Sequence, residues 1–124
     1  MSADPELARV CAALRALRLP PQRDEHVLHS LAADALAAAG IGFVHEAKLG
    51  PRCRADFLCG GVCVEIKRGA VDRARVRAQL LRYAAFPQVT SLVLLTERTV
   101  DLPETLGGKP VRALCLNRLW GIAI

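Results

Sequence analysis

Long apolar runs, a leader sequence and paired cysteine motifs are all missing from this sequence. The longest apolar candidate, residues 31–44, is too short to span a bilayer and contains Asp34. The N-terminus lacks the basic-then-apolar order of a signal peptide. These absences predict a protein without a membrane partner, located in the cytoplasm or in whatever compartment holds its host's DNA.

The cysteines and histidines do not form a recognisable metal-binding pattern. Five cysteines are an odd number, and none has C-x-x-C spacing, which argues against a disulfide framework and a zinc or iron–sulfur site. We expect them to be small buried side chains: Cys11, Cys53, Cys59, Cys63 and Cys115. His26 and His29 are three residues apart on a predicted helix, but no H-E-x-x-H motif surrounds them. With His45, they are interpreted as solvent-facing or core-edge imidazoles.

The composition describes one small, basic, globular domain. The chain has 124 residues, of which 52% are apolar, and a formal charge of +5 with Arg greatly outnumbering Lys. That length allows a single core. A basic domain rich in Arg suits a polyanionic partner such as nucleic acid, because guanidinium forks match phosphate geometry. The alternative is that the excess of Arg serves only solubility.

Residues 54–67 are the most informative stretch, since they predict a β-hairpin with one apolar and one polar face. Gly60-Gly61 forms a two-residue connection that tolerates positive φ at both positions, as primed hairpin turns require. Counting by twos gives the two faces. The polar face would hold Arg54, Asp56, Leu58, Cys63, Glu65 and Lys67, and the apolar face Ala55, Phe57, Cys59, Val62, Val64 and Ile66.

Two carboxylates and one ammonium on a shared face indicate a site for a hard cation. Asp56 and Glu65 would repel each other, and a divalent cation removes that repulsion. Carboxylate oxygens suit Mg²⁺, for which Mn²⁺ can substitute. Lys67 would lie where it can lower the pKa of a bound water or face a phosphoryl group. The three residues thus make a minimal device for phosphodiester hydrolysis.

This stretch resembles the active-site hairpin of the PD-(D/E)XK nuclease superfamily. Asp56 stands at the family's Asp, and Glu65-Ile66-Lys67 matches (D/E)-x-K, although Ala55 replaces the preceding Pro. The resemblance runs from about residue 25 to residue 96. Gln79 and Tyr83 are similar to the Gln-x-x-x-Tyr of RecB-type nuclease domains. Among small stand-alone members it resembles the GxxExxY proteins, of whose name pattern only the Glu, Glu25, is met.

The resemblance implies a restriction-endonuclease-like α/β fold with a mixed sheet of four to five strands flanked by helices. It implies Mg²⁺-dependent hydrolysis of DNA, with the metal held by Asp56, Glu65 and the carbonyl of Ile66. Lys67 would assist the attacking water, and Glu25 would complete the outer shell of the metal. Gln79 and Tyr83 would line the site. The proposed phosphate contacts are Arg54, Arg68 and Arg75, and Glu46 is a weaker acidic candidate.

The rest of the chain predicts the order of elements. Residues 1–20 form a helical extension that starts at Asp4-Pro5-Glu6 and stops at Pro20-Pro21, and that either covers the sheet or pairs with another subunit. The core, residues 21–116, holds a helix at 22–39 ended by Gly40, a strand at 41–47, the hairpin, a helix at 71–86 and a strand at 90–96. A loop at 102–110 and a weak strand at 111–116 follow. Trp120 and the apolar tail, residues 121–124, either pack on the body or form a dimer contact.

Two other functions compete with the nuclease. One is a non-catalytic nucleic-acid-binding module or subunit that retains the fold. The other is a basic interaction domain in which Asp56, Glu65 and Lys67 form a surface salt-bridge cluster, which is common and contributes little stability. A domain this small has little surface with which to wrap a duplex, so a homodimer is consistent with the nuclease.

Overall fold

Three helices and six strands make up the computed structural model, which describes residues 4–17 and 24–116. The helices are α1 (Pro5–Arg15), α2 (Glu25–Ala38) and α3 (Arg73–Ala84). The strands are β1 (Val44–Gly50), β2 (Cys53–Cys59), β3 (Val62–Lys67), β4 (Ser91–Thr96), β5 (Thr105–Leu106) and β6 (Lys109–Cys115). Within the described ranges, no helix is long and apolar enough to cross a bilayer.

The strands form one mixed sheet in the order β1-β2-β3-β4-β6-β5. β1, β2 and β3 are an antiparallel meander, and β4 pairs in parallel with both β3 and β6. The predicted α/β architecture is confirmed, including the parallel β3–β4 pair with α3 as its crossover. The strand count of four to five was too low. The predicted loop at 102–110 contains β5, which pairs with the start of β6 through a turn at Gly107-Gly108.

Helix α1 covers the sheet, which was one of the two positions predicted for it, the other being a contact with another subunit. It begins as predicted at Asp4, whose Oδ1 accepts a 3.0 Å hydrogen bond from the N–H of Leu7. Its apolar face packs against β3, β4 and β6, with Leu7, Val10, Cys11, Ala13 and Leu14 buried. Glu6 also reaches the hairpin tip, where its Oε1 accepts a 3.2 Å bond from the N–H of Gly61.

Helix α2 ends at the predicted glycine, and the way it ends displaces the first strand. Gly40 has a φ of 74°, its N–H donates to Ala37, and the N–H of Ile41 donates to Leu36. These two bonds are a Schellman motif, which requires the left-handed conformation at Gly40. The predicted strand at 41–47 was therefore set too early. Ile41 belongs to the helix end, and β1 spans Val44–Gly50.

The hairpin lies where the sequence predicts it, but its turn differs in one detail. Only Gly60 has a positive φ, of 60°. Positive φ at the first central residue alone is the pattern of a type II′ turn, whereas the prediction assumed positive φ at both glycines. The carbonyl of Gly61 accepts a 2.7 Å bond from Thr90, so the turn is tied to the segment that enters β4.

Two hydrophobic clusters fill the two faces of the sheet, with α1 and α2 on one face and α3 on the other. Phe57, Cys59 and the apolar residues of β3 pack under α1 and α2, as predicted. Ala55, predicted on that same face, instead packs under α3 together with Cys53. The alternation of side chains along β2 is therefore interrupted at Asp56. Glu46 in β1, which would be its partner in register, has a φ of 54°.

The remaining elements agree with the sequence apart from their exact ends. Helix α3 starts at the Asp72 cap, whose Oδ1 accepts a 3.2 Å bond from the N–H of Arg75. Strand β4 is buried along its whole length, as the run of leucines predicts. All five cysteines carry free thiols, and only Cys115 is partly exposed. The predicted packing of Trp120 and residues 121–124 lies outside the described residues.

Candidate functional site

The candidate site lies in a fork where β2 separates from β3. The two strands pair only between Phe57–Cys59 and Val62–Val64. Beyond that point the Oδ2 of Asp56 accepts a 2.7 Å hydrogen bond from the backbone N–H of Ile66. A side chain thus takes the place that a β2 carbonyl would occupy in a continued ladder. Asp56 points its carboxylate into this fork, not outward from the face that simple alternation assigned to it.

Glu65 is held on the α3 side of β3 by three polar side chains. Its side chain is only 6% exposed, and its Oε2 lies 3.2 Å from the Nζ of Lys67. The same Oε2 accepts a 3.3 Å bond from Gln79, and Oε1 lies 3.2 Å from the hydroxyl of Tyr83. Gln79 also donates to Tyr83 at 2.9 Å. The structure therefore brings Gln79, Tyr83 and Lys67 together around one carboxylate.

Tyr83 links this carboxylate to the strand that carries Asp56. Its hydroxyl lies 2.9 Å from the backbone carbonyl oxygen of Arg54, and it can donate its single proton to that oxygen or to Glu65. The ring is buried beneath α3. Tyr83 thus fixes the spacing between α3, the start of β2 and Glu65.

The two carboxylates are electrostatically unfavourable as they stand. Burial, reinforced by the nearby negative charge of Asp56, raises the pKa of Glu65 to about 7. Burial also raises the pKa of Asp56, although the Ile66 N–H, His29 and Lys67 partly oppose that shift. The charge of Asp56 therefore acts on Glu65, and ionising both carboxylates at neutral pH costs free energy. A bound cation would remove that penalty.

The oxygen donors in the fork fit a hard divalent cation. The backbone N–H of Ile66 points toward β2. The N–H and C=O of a strand residue point toward the same neighbouring strand, so the carbonyl oxygen of Ile66 also faces the fork. Asp56, Glu65 and that carbonyl would supply oxygen ligands only, which suits Mg²⁺ or Mn²⁺. Among residues 4–17 and 24–116, no ready-made group of three or more His, Cys, Asp or Glu side chains surrounds a common point.

A pair of histidines adjoins Asp56, and the sequence did not indicate its importance. The Nε2 of His29 lies 3.8 Å from Asp56 and 3.7 Å from Glu25, and within the described structure it is buried without a hydrogen-bond partner. Its Nδ1 lies 2.9 Å from the Nε2 of His45, which stacks on Phe57 with ring centroids 4.7 Å apart. His29 could provide a nitrogen ligand or orient Asp56.

Glu25, the predicted outer-shell acid, lies near the site but not in it. It is in the first turn of α2, its side chain is 68% exposed, and its contact is with His29, not with Asp56 or Glu65. Glu46, the weaker candidate, is exposed. One signal for His29 was available in retrospect: it lies one helical turn after Glu25, so a helix face that presents one also presents the other.

The predicted phosphate contacts separate into two groups. Arg68 and Arg75 line a cleft of about 520 Å³ together with Lys67 and Gln79. Arg54 is exposed, but its neighbours in β2 are buried under α3, so its side chain is directed away from that cleft. A larger, mostly apolar groove of about 750 Å³ lies between α1 and α2, away from the carboxylates.

The chain matches no family model, no curated protein and no solved structure. What the site can do therefore follows from its own residues. They are one buried and one half-buried carboxylate, an ammonium in contact with the buried one, and an adjoining cleft lined by basic side chains.

Proposed function

We propose that this protein is a Mg²⁺-dependent nuclease that hydrolyses phosphodiester bonds of DNA. The observation that carries the proposal is that the carboxyl groups of Asp56 and Glu65 both have raised pKa values, so ionising them costs free energy. Asp56 is partly buried and Glu65 almost fully buried, and the charge of Asp56 contributes to the raised pKa of Glu65. Ionising both carboxylates lowers the stability of the fold unless a cation binds to them.

Each residue of the site has a role in this proposal. Asp56, Glu65 and the carbonyl of Ile66 would hold the ion, which would supply an activated water and neutralise charge on the phosphate. Lys67, 3.2 Å from Glu65, would orient that water or stabilise the charged transition state. Gln79 and Tyr83 would keep Glu65 in one rotamer, and His29 would orient Asp56 or join the ligands.

The same proposal includes a restriction-endonuclease-like fold for this chain. A restriction-endonuclease-like core would place an antiparallel meander, a crossover helix and a parallel strand in this order, and β1-β2-β3, α3 and β4 have that arrangement. DNA is proposed as the substrate because the chain carries a net charge of +5 and the cleft beside Lys67 contains arginines.

The direct test is DNA hydrolysis in Mg²⁺ by the unmodified protein and by single variants. Asp56→Asn and Lys67→Ala should each reduce the rate at least about a hundredfold, since each removes a group that acts on the reacting atoms. Lys48→Ala is the matched control, because Lys48 is an exposed lysine of β1. If Asp56→Asn cleaves DNA as fast as the Lys48 variant, the proposal is wrong.

A binding module without catalysis is the second candidate, and one observation favours it. Lys67, Gln79 and Tyr83 supply polar contacts to both oxygens of Glu65. Calorimetric titration with Mn²⁺ separates the two candidates, because a nuclease site binds the ion and a self-satisfied cluster does not. DNA binding without Mn²⁺ binding would establish the second candidate.

A further inference from the structure

The arginines of α3 divide into two sets that differ in what they face. Arg75 and Arg82 line the cleft beside Lys67, with Gln79 between them at spacings of four and three residues. Residues at these spacings form one stripe along a helix. Arg73 and Arg77 are equally exposed but do not line the cleft. One helix thus presents a basic row beside the carboxylates and a second pair of arginines elsewhere.

Among the four cations that line the cleft, the two arginines of α3 are the ones without an acidic partner in the described residues. Lys67 pairs with Glu65 at 3.2 Å, and Arg68 approaches Glu97 at 3.9 Å. Arg75 and Arg82 make no ion pair with any residue in the described parts of the chain. Asp72, the acid that lines the same cleft, uses its Oδ1 to cap α3 through the N–H of Arg75. Two guanidinium groups therefore remain available to an anionic ligand.

We propose that Arg75 and Arg82 form a track for the phosphates of one DNA strand, and that this track leads to the carboxylates past Gln79 and Lys67. The inference rests on the proposed function and deepens it by naming the form of the substrate. Seven residues of helix extend about 10 Å. That length covers more than one phosphate of a strand, whose axial spacing in a duplex is about 3.4 Å. The row is therefore long enough to hold a strand in register.

The surroundings of the row favour a single strand over a duplex. A duplex presents two phosphate backbones, and a second backbone would need cations on the other side of the carboxylates. On that side the described start of α2 presents two exposed acids, Asp24 and Glu25, against one exposed cation of β2, Arg54. Those acids would repel a second strand. The substrate would thus be single-stranded DNA.

The same cleft has no surface among its described residues on which bases could stack. Its lining consists of cations, Asp72, Gln79 and small apolar residues, without an aromatic ring on which a base could stack. Contacts would be made to phosphates, which position a strand without distinguishing its bases. We therefore expect binding that depends strongly on salt and little on sequence.

The test measures binding of a fluorescent, mixed-sequence, single-stranded DNA oligonucleotide by anisotropy over a range of salt concentrations. All proteins carry Asp56→Asn, so that the DNA stays intact. Arg75→Gln/Arg82→Gln is compared with Arg73→Gln/Arg77→Gln, which removes the same charge from the same helix. The first pair should flatten the slope of log affinity against log salt by about 1.4, since each lost phosphate contact contributes about 0.7. The second pair should leave it nearly unchanged.

Several outcomes would overturn the inference, and they differ from failure of the nuclease proposal. Equal slopes for the two double variants would show that α3 charge acts only through long-range attraction. Tighter binding of a duplex of the same length would refute the single-strand assignment. If the row is needed for binding but the unmodified protein does not hydrolyse DNA in Mg²⁺, the track stands and the nuclease proposal falls.

Discussion

The Oδ2 of Asp56 lies 2.7 Å from the backbone nitrogen of Ile66, which donates a hydrogen bond to it. This bond replaces a rung of the β2–β3 ladder at the point where the two strands part. Asp56 therefore has a structural task besides any chemical one: it satisfies a main-chain donor that the fork leaves without a strand partner. A loss of activity at this position has to be separated from a loss of stability.

The structural task predicts a difference between two variants of Asp56. Asp56→Ala and Asp56→Asn both remove the charge, but only the amide oxygen of Asn can still accept the bond from Ile66. We expect the free energy of unfolding of Asp56→Ala to be about 1 to 2 kcal/mol lower than that of Asp56→Asn, because an unsatisfied buried N–H destabilises the folded state. Urea unfolding in the presence of a chelator measures this. Equal stabilities would mean that water reaches the Ile66 N–H.

His29 leads to a prediction about metal affinity. Its Nε2, which has no hydrogen-bond partner among the described residues, lies 3.8 Å from Asp56, and its Nδ1 lies 2.9 Å from the Nε2 of His45. His29→Ala should weaken Mn²⁺ binding by about tenfold or more, which is the usual effect of removing a residue that orients or supplements metal ligands. Titration calorimetry gives the dissociation constant.

His26→Ala is the matched control for that experiment. His26 lies on the same helix three residues earlier and is exposed. Its removal should leave Mn²⁺ affinity unchanged. A similar loss in both variants would indicate that α2 acts through general stability, and no loss in either would remove His29 from the site.

Tyr83 gives a prediction about the pH dependence of the reaction. Its hydroxyl helps to hold the Glu65 carboxylate in the ionised form and so lowers the pKa of Glu65. Tyr83→Phe should therefore move the acidic limb of the rate profile at subsaturating Mg²⁺ upward by about half a pH unit to one unit, equivalent to one ordinary hydrogen bond. A lower rate at every pH without this displacement would assign Tyr83 a packing role only.

Local signals in the sequence were sufficient for most of the fold. The cap at Asp4, the glycine stop at Gly40, the hairpin at Gly60 and the buried leucines of β4 each depend on neighbouring residues, and all were predicted correctly. The wrong predictions concern elements whose structure depends on contacts between residues far apart in the sequence. Strand β5 has two residues and exists only because β6 lies beside it, so no periodicity could reveal it.

The candidate site was likewise predictable only where residues close together in the sequence determine it. The spacing within β3 placed Glu65 and Lys67 on one face, and the resemblance to nuclease domains added Gln79 and Tyr83. The structure brings these four side chains together. The fork was not predictable, because strict alternation assumes an unbroken ladder and β2 departs from it at Asp56. The histidine pair was missed because His29 and His45 are separated by a helix end and a turn, and only the packed fold joins them.

The raised pKa of Glu65 predicts how stability depends on pH when no divalent cation is bound. Its folded pKa of about 7 lies above the value of 4.5 expected in the unfolded chain, so the folded protein binds more protons between these two values. Stability should therefore fall as pH rises from about 4.5 to 7 and should stay low above that range. The full effect of this one group would be up to about 3 kcal/mol.

Glu65→Gln tests this directly, because glutamine keeps the shape of the side chain and does not ionise. In the presence of a chelator the variant should lose this part of the pH dependence and should be more stable than the unmodified protein at pH 8. Thermal unfolding from pH 5 to pH 8 measures both curves. Saturating Mn²⁺ should restore the stability of the unmodified protein at pH 8 and do little for the variant, since binding favours the folded, ionised state. Parallel curves for the two proteins would show that Glu65 is ionised at no cost, and the main reason for placing a cation in the fork would be lost.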